Sequence, residues 1–562
     1  MKRLLLFFFL LPLLGYAQSK IDEQWYSLLL EGTTVGYLHH TTWQTHEGTV
    51  RSEIEQTMQI RRFGVPFSLT QKDVWIERSG AGLVSVHSEL DMNGQRQDVE
   101  ARAADGGLRV LLRRGSEEEE LFLPLEGDPM GIYAATLEVN ATIARWKETD
   151  GSGTLNSRLQ YQLFSPESLQ VEEIRLSILG RGEVEDSRGK IHRGVLVEEQ
   201  SSALPGVVSM EVYGEEAQFL YSKTPVGLAL EILRLEGDPR ATAEGSPAGS
   251  LGSERSYDVA AVFDVASLTV VAAGVREIPL ERTRAATVLF RGKGAGILHQ
   301  AVRDAEKDLA VQPEAGQGAG TAPNRVVSFK KDLRGTVTEL VVDLEYRPFA
   351  PVSSDTRPPR SESIPPEVED YLAGGFHLDL ENPRLTELLK RCGVPAVLPD
   401  SAGAHSEDSA GGGIAGADRD PATAIDPTRI LCLEQLVDRY IETKSLAYGF
   451  AGLEEILEGR AGDCTEHALL LVALLRRAGL PSRMAYGLIL TEVGFIGHAW
   501  VELFKAGQWH WLDPSFPRGR PYGLKIRLGV MDPGQPVWAN FSLALLQVVG
   551  TVEAEILEAK EL

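Results

Sequence analysis

Cysteine is scarce in this chain: its 562 residues include only Cys392, Cys432 and Cys464. A small fold built around several disulfides is therefore excluded, and because three is an odd number, at least one thiol has no partner within the chain. Long apolar runs are scarce as well. Beyond the N-terminus, no stretch approaches the ~20 apolar residues that a membrane-spanning helix requires, so the sequence predicts no stable membrane insertion.

Positive charge is also in short supply, with 56 basic against 80 acidic residues and a net charge of −24. This balance disfavours nucleic acid and anionic membranes as partners. The chain lacks a glycine-rich phosphate loop between a strand and a helix, since the glycine tract at 411–413 leads into no helical pattern. We therefore expect neither a cofactor nor a nucleic-acid partner.

The N-terminus has the three-part layout of a secretory signal peptide. Lys2 and Arg3 precede an apolar run of about a dozen residues, and Gly15-Tyr16-Ala17 forms a small-residue cleavage site. The alternative is a retained membrane anchor, but the run is short of the ~20 residues that spanning requires. We expect cleavage after Ala17 and a periplasmic or secreted protein.

Residues 21–240 predict a β-rich domain. Segments such as RSEIEQTMQIRRF (51–63) and SLTQKDVWIER (68–78) alternate apolar and polar residues, as half-buried antiparallel strands do. The Gly/Ser/Pro-rich stretch 241–256 indicates a linker. Residues 257–350, with strand patterns around the helical GILHQAVRDAEKDL, predict a small β or α+β domain.

The remaining residues, 364–562, predict a third domain. Its tract 400–424 is rich in Gly, Ala, Ser and Asp and is expected to be a mobile loop. An amphipathic helix follows Pro427, and Cys432 falls within its apolar stripe, where a buried core thiol is the favoured interpretation. The segments GLKIRLG and NFSLALLQVVGTVEAEILE are expected to complete the sheet of this domain.

Cys464 lies where the turn Gly462-Asp463 runs into a helix that is apolar nearly all round and ends before Gly479. Backbone N–H groups and the positive end of the dipole at a helix start favour a thiolate over a thiol and can also hold an oxyanion. A nucleophile needs a base as well. Cys464 alone therefore remains a weak signal.

His498 begins the strand HAWVELF, and a KAGQ turn leads to WHWLDPSF, which carries Asp513. Alternation places His498, Trp500 and Glu502 on one face of the first strand. If the hairpin loop holds an even number of residues, Asp513 is on the same side as His498, either opposite or diagonal to it. An odd loop turns Asp513 away.

Each of these residues has a structural alternative: a core histidine, a turn-forming aspartate, a small buried thiol. Asp463 and Glu466 are interpreted as solvated helix-start carboxylates with a structural role. Cys464 and His467 with His498 and Asp513 could be read as a zinc site, but without a second cysteine pair we expect no metal.

Taken together, GDCTEHALLLVALLRRAGLPSR, GHAWVELF and WLDPS resemble the transglutaminase-like branch of the papain-type cysteine enzymes, over about residues 427–517. The resemblance implies an α+β multidomain protein in which antiparallel β-rich domains precede a papain-like catalytic domain, as in exported bacterial relatives. It implies Cys464 as nucleophile, His498 as general base and acid, and Asp513 as the group that orients the imidazole.

The resemblance implies acyl transfer from an amide of a protein or peptide substrate, through a thioester on cysteine. Components of the cell envelope are among the expected substrates. Water as acceptor gives hydrolysis and a lysine amine gives a cross-link, and the sequence does not choose between them. The alternative is a binding or scaffold protein of the cell envelope that keeps the fold without turnover.

Overall fold

The computed structural model describes residues 19–239, 271–309, 323–349, 364–397, 425–444, 451–516, 523–534 and 545–561, with short breaks inside several ranges. The predicted signal peptide (1–17), linker (241–256) and mobile loop (400–424) lie outside the described residues. No helix in the described part of the chain has the length and apolar character needed to span a bilayer.

The N-terminal region forms one antiparallel sheet of fourteen strands. Burial alternates along strands such as β7, whereas β1 buries five residues in succession, and the sheet order runs from β8 to β1 and then from β14 to β9. The strands are β1 (Ser19–Leu30), β2 (Thr33–Gln44), β3 (Thr49–Arg62), β4 (Val65–Arg78), β5 (Leu83–Met92), β6 (Gln95–Ala104), β7 (Gly107–Arg114), β8 (Glu117–Pro124), β9 (Arg158–Ser165), β10 (Gln170–Glu185), β11 (Ile191–Ser201), β12 (Ser209–Tyr213), β13 (Phe219–Val226) and β14 (Leu228–Leu235).

Helix α1 (Ile132–Glu148) covers part of this sheet. It buries Val139, Ile143 and Trp146, which recur at the three- and four-residue spacing of one helix face. These side chains join a core cluster with β10 and β11, through residues such as Leu176 and Val197.

A second, five-stranded sheet has the order β15-β25-β16-β18-β17. Its strands are β15 (Ala273–Gly274), β16 (Thr283–Gly292), β17 (Asn324–Lys331), β18 (Val337–Glu345) and β25 (Val552–Glu561). Helix α2 (Ala295–Leu309) buries Leu298 and Val302 in the core of this sheet, in the segment predicted to be helical.

The position of β25 corrects one expectation. We expected residues 540–558 to complete the sheet of the C-terminal domain, but β25 pairs antiparallel with β16. An alternating strand buries its apolar face equally well at any open sheet edge, so its own pattern does not identify its partner.

The C-terminal region combines a helical layer with a four-stranded sheet of order β23-β22-β21-β24. The segment GLKIRLG belongs to this sheet as expected, within β24. The elements are α3 (Pro366–Glu369), a 3₁₀ turn (Asp370–Leu372), α4 (Pro383–Arg391), α5 (Pro427–Tyr440), β19 (Thr443–Lys444), α6 (Leu453–Gly459), β20 (Ala461–Gly462), α7 (Cys464–Arg477), β21 (Ser482–Thr491), β22 (Gly494–Lys505), β23 (Gln508–Leu512) and β24 (Lys525–Met531).

Helix α7 is the centre of this region. It is buried almost all round and packs against α4, α5 and α6 on the helical side and against β21 and β22 of the sheet. This explains why its sequence lacks a polar face.

A disulfide joins Cys392, at the end of α4, to Cys432 in α5. The prediction of a buried core thiol at Cys432 is therefore wrong. Three cysteines allow three pairings, and the helix pattern around Cys432 carries no sign of its partner 40 residues away in the chain. Cys464 is the cysteine that this bond leaves out.

Candidate active site

Helix α7 begins with a reciprocal cap that fixes the position of Cys464. The Asp463 carboxylate accepts a hydrogen bond from the Thr465 N–H at 2.9 Å, and the Glu466 carboxylate accepts one from the Asp463 N–H at 2.7 Å. Cys464 is the first residue of the helix, half-buried against the core of the region. Its sulfur is thus held at the positive end of the helix dipole.

Glu466 is not the solvated carboxylate that we expected, because its side chain is fully buried. It also accepts a hydrogen bond from the Ala451 N–H at 3.1 Å. Burial raises the pKa of Glu466 well above its usual range, and the neighbouring Asp463 adds to the effect. The residue joins the start of α7 to the segment that leads into α6, so its role is structural.

His467 is tied to two other groups. Its Nδ1–H donates to the backbone carbonyl of Asp463, and its Nε2 accepts from the Lys444 ammonium. Burial, followed by the charge of Lys444, lowers the pKa of His467 to about 4. With both ring nitrogens occupied, His467 is poorly placed to act as a zinc ligand beside Cys464.

Among the described residues, the one group spaced to hold a metal ion is His87, Glu89 and Asp98 in the N-terminal sheet. His87 and Asp98 are hydrogen-bonded to each other at 2.6 Å, and Arg113 donates to Asp98. A guanidinium on one of the carboxylates competes with a cation at this position.

His498 and Asp513 are brought together by the β22–β23 hairpin. Lys505 pairs with Gln508, so the loop consists of the two residues Ala506 and Gly507, both with positive φ. An even loop places Asp513 on the side of His498, and the imidazole Nε2 lies 2.9 Å from the Asp513 Oδ2. The register condition derived from the sequence is met.

Asp513 is held by three further contacts. The Lys525 ammonium lies 2.9 Å from the same Oδ2, the Ser515 N–H donates to Oδ1 at 3.2 Å, and the Asp513 N–H donates to the Glu434 carboxylate at 2.7 Å. Burial raises the pKa of a carboxyl, but Lys525 and His498 outweigh it and hold the pKa of Asp513 below its ordinary value. Asp513 is therefore a carboxylate at neutral pH.

Sequence reasoning missed Lys525 and Glu434. Lys525 and Arg527 alternate within an otherwise apolar strand, which places two cations on one face of a buried sheet. That pattern could have predicted buried carboxylates nearby, because buried cations are almost always paired. Glu434, on α5, carries no comparable signal.

Aromatic rings surround the imidazole of His498. The Phe516 ring centroid lies 5.1 Å from that of His498, and Trp500 lies at 6.2 Å. The His498 side chain is only 4% exposed. In such an environment, a charge interaction is stronger than at the protein surface.

A buried charge cluster lies further along the same face of the sheet. Glu502, fully buried, accepts from Arg483 at 2.9 Å and from Arg527 at 3.1 Å, and the Trp511 indole N–H donates to it at 3.0 Å. Asp308 of α2 contacts both guanidinium groups, at 2.5 Å and 2.7 Å. This cluster joins the five-stranded sheet region to the sheet that carries His498.

The structure thus places the three predicted residues as follows. His498 and Asp513 are in direct contact, and Cys464 begins the helix that packs against the strand carrying His498. Contact of the Cys464 sulfur with the imidazole stays a prediction.

Residues 421–514 match the transglutaminase-like superfamily. The C-terminal region thus contains a transglutaminase-like domain, and the predicted fold class, with an antiparallel β-rich region ahead of that domain, is confirmed. No curated protein matches the chain.

Three solved structures show similarity to the chain. A β-barrel-like domain of unknown function from Brucella abortus is 11% identical, covers 38% of this chain and 94% of its own, and gives a TM-score of 0.28. A candidate cysteine protease from Cytophaga hutchinsonii is 12% identical, with coverage of 50% and 89% and a TM-score of 0.25. A candidate protease from Parabacteroides distasonis is 11% identical, with coverage of 79% and 70% and a TM-score of 0.17. These TM-scores are low, so no activity is transferred from these structures to this chain.

Proposed function

We propose that this chain, whose residues 421–514 form a transglutaminase-like domain, is an exported cysteine-dependent enzyme that transfers acyl groups from amide bonds of protein or peptide substrates. The observation that carries the proposal is the 2.9 Å contact between His498 Nε2 and Asp513 Oδ2, beside a helix that begins with Cys464. A nucleophile, a base and a group that orients the base are the parts that such chemistry requires.

The hydrogen bonds support a role for each atom in the proposed mechanism. Asp513 is a carboxylate and only accepts, so His498 Nε2 carries a proton and Nδ1 is the nitrogen left to exchange a proton with the Cys464 thiol. The thiolate attacks the amide carbonyl, and the first-turn N–H groups of α7 face the developing oxyanion. Nδ1–H then protonates the leaving amine as the C–N bond breaks, which leaves a thioester on Cys464.

The second half-reaction regenerates the thiolate and the protonated His498. His498 takes a proton from the acceptor, which attacks the thioester, and the sulfur leaves as thiolate. With water, the product is a carboxylic acid, and with a primary amine it is a new amide. Both acceptors use the same three side chains.

The disulfide supports the exported location. Disulfides persist in oxidising compartments and are rare in the cytosol, and the Cys392–Cys432 bond spans a long stretch of chain. Cell fractionation, together with the mass of the mature N-terminus, tests this part. A mature chain that starts after Ala17 in the periplasm or medium is the expected result, and an uncleaved cytosolic chain contradicts it.

Alkylation with iodoacetamide at about neutral pH tests the catalytic proposal. Because the other two cysteines form a disulfide, the unreduced protein has one site of modification, Cys464. We expect fast labelling that slows at least tenfold in His498→Ala, because the imidazolium that stabilises the thiolate is lost. Labelling of Cys464 at the rate of an ordinary thiol in both proteins would favour the scaffold alternative.

Incubation with a glutamine-containing protein and a labelled primary amine separates the two acceptors. Incorporation of the amine indicates transamidation, whereas release of ammonia or new chain termini without incorporation indicates hydrolysis. Cys464→Ser is the matched control, because it removes the nucleophile and keeps the volume of the side chain nearly unchanged.

A further inference from the structure

Lys525 is a buried cation in direct contact with the carboxylate that orients His498. It is the first residue of β24, and its side chain is 4% exposed. Its Nζ lies 2.9 Å from Asp513 Oδ2, the same oxygen that accepts from His498 Nε2. One carboxylate oxygen therefore serves an ammonium and an imidazole at once.

The sheet explains how a residue of β24 reaches Asp513. Strand β21 lies between β24 and β22, with Gly487 directly opposite His498 and Ile489 opposite Lys525. Gly487 has no side chain, and the space that a Cβ there would take is occupied by the backbone of β24 at Ile526. The Trp500 ring centroid lies 6.0 Å from the Lys525 Nζ.

We propose that Lys525 is a positioning residue of the active site, which restrains the Asp513 carboxylate and limits how strongly that carboxylate holds a proton on His498. The proposal rests on the proposed function, since it concerns the same three side chains. It assigns to Lys525 an effect on proton transfer in addition to its contribution to folding.

The physical argument concerns charge. Asp513 alone would stabilise an imidazolium strongly, because two opposite charges in a buried site attract each other more than in water. The Lys525 ammonium neutralises much of that attraction and repels a positive imidazole. An imidazolium next to this ion pair releases its proton to a leaving amine more readily, which is what the general acid must do.

Other charged and titratable groups lie near the Asp513 carboxylate in the described part of the chain. Glu434 of α5 accepts from the Asp513 backbone N–H, and Cys464 begins the helix that packs on β22. Arg527 lies opposite Gly487, in line with His498 across the sheet, and is bound to Glu502 of the buried cluster. Of these contacts, the Lys525 ammonium is the cation that touches the Asp513 carboxylate besides His498.

The test is a titration of His498 by NMR in protein labelled on histidine. A Cys464→Ser background removes the coupled thiol, and the His498 signal is identified as the one missing in His498→Gln. Lys525→Gln removes the charge but keeps a hydrogen-bond donor. We expect the midpoint of the His498 titration to move to higher pH by roughly one to two units in this variant.

Lys525→Arg keeps the charge and is expected to leave the midpoint within a few tenths of a unit. Lys560→Met, which removes an exposed lysine of β25, controls for a general change in net charge and should leave the midpoint unchanged. An unchanged or lower midpoint in Lys525→Gln overturns the proposal. So does an Arg variant that behaves like the Gln variant.

Failure of the proposed function has a different signature. Slow, His498-independent alkylation of Cys464 in the chain with native Lys525 contradicts the enzyme itself. A titration shift in Lys525→Gln would stand even then, because it needs only His498, Asp513 and Lys525. If Lys525→Gln does not fold, Lys525→Met, which keeps the apolar stem and lacks the charge, answers the same question.

Discussion

Several ion pairs of the N-terminal sheet are exposed to solvent, whereas several ion pairs of the C-terminal region are buried. In the N-terminal sheet, pairs such as Arg109–Glu120 and Arg193–Glu183 lie on the surface, with each side chain more than half exposed. In the C-terminal region, the ion pairs Lys525–Asp513 and Arg483–Glu502 are buried, and Glu502 has no exposure at all. The contrast concerns these pairs and not every charge, because the N-terminal sheet also buries Glu231 and Asp186 beside their partners.

This difference shows which ion pairs depend most on the exact positions of their side chains. An exposed pair contributes ~0–1 kcal/mol because water and salt screen it. Buried ions lose their hydration and are tolerated only when several partners hold them in place. The buried charges lie on the face of the sheet that carries His498. The free-energy cost of desolvating them is therefore found at the place where side chains need a fixed orientation.

Glu502→Gln is expected to give the largest effect on stability. It leaves Arg483 and Arg527 buried with Asp308 as their remaining carboxylate, and we expect a loss of about 3–5 kcal/mol in the free energy of unfolding. Urea denaturation followed by tryptophan fluorescence measures it. The matched control is the exposed Glu120→Gln, expected to stay within roughly 0.5 kcal/mol. Equal losses in the two variants would contradict the difference between buried and exposed ion pairs.

Removal of the disulfide is expected to be next in size. The double variant Cys392→Ser/Cys432→Ser frees a long loop in the unfolded chain, and we expect a loss of about 2–4 kcal/mol. Cys464→Ser controls for loss of a cysteine without loss of the bond. Equal urea midpoints for the double variant and the parent would show that α4 and α5 stay together without the cross-link.

Acid is expected to produce the smallest of these effects, through His467. The pKa of His467 falls from 6.5 to about 4 in the folded chain, mainly through burial, so the unfolded chain binds this proton more readily. Its contribution to stability is therefore full above about pH 6.5 and is lost as the pH falls toward 4, by up to roughly 3 kcal/mol.

His467→Gln isolates that contribution. The variant keeps a hydrogen-bond acceptor for Lys444 and cannot titrate, so its stability should fall less than that of the parent between pH 6.5 and 4. Thermal denaturation across this range measures the difference. Parallel curves for the two proteins would mean that His467 has no part in acid sensitivity.

Local elements could be predicted from the sequence because their signals lie within one segment. The alternation in β3 and β4, the apolar pattern of α7 and the presence of a turn at KAGQ each follow from neighbouring residues. The contact between His498 and Asp513 could be predicted only on the condition of an even hairpin loop, which the structure then showed.

Distant partners could not be predicted, because no local pattern specifies them. Three contacts join segments that are far apart in the chain: the bond of Cys392 to Cys432, the contact of Lys525 with Asp513 and the pairing of β25 with β16. A strand or helix pattern describes each of these segments but does not identify its partner. In each case, an alternative partner would have satisfied the same burial or charge.

The pairing of β25 with β16 also bears on the order in which the chain assembles during synthesis. The ribosome delivers β16 long before β25, and the whole transglutaminase-like segment emerges between them. Until β25 arrives, β16 has an uncovered edge of the kind that invites association between nascent chains. The transglutaminase-like segment therefore leaves the ribosome before the five-stranded sheet receives β25, the strand between β15 and β16.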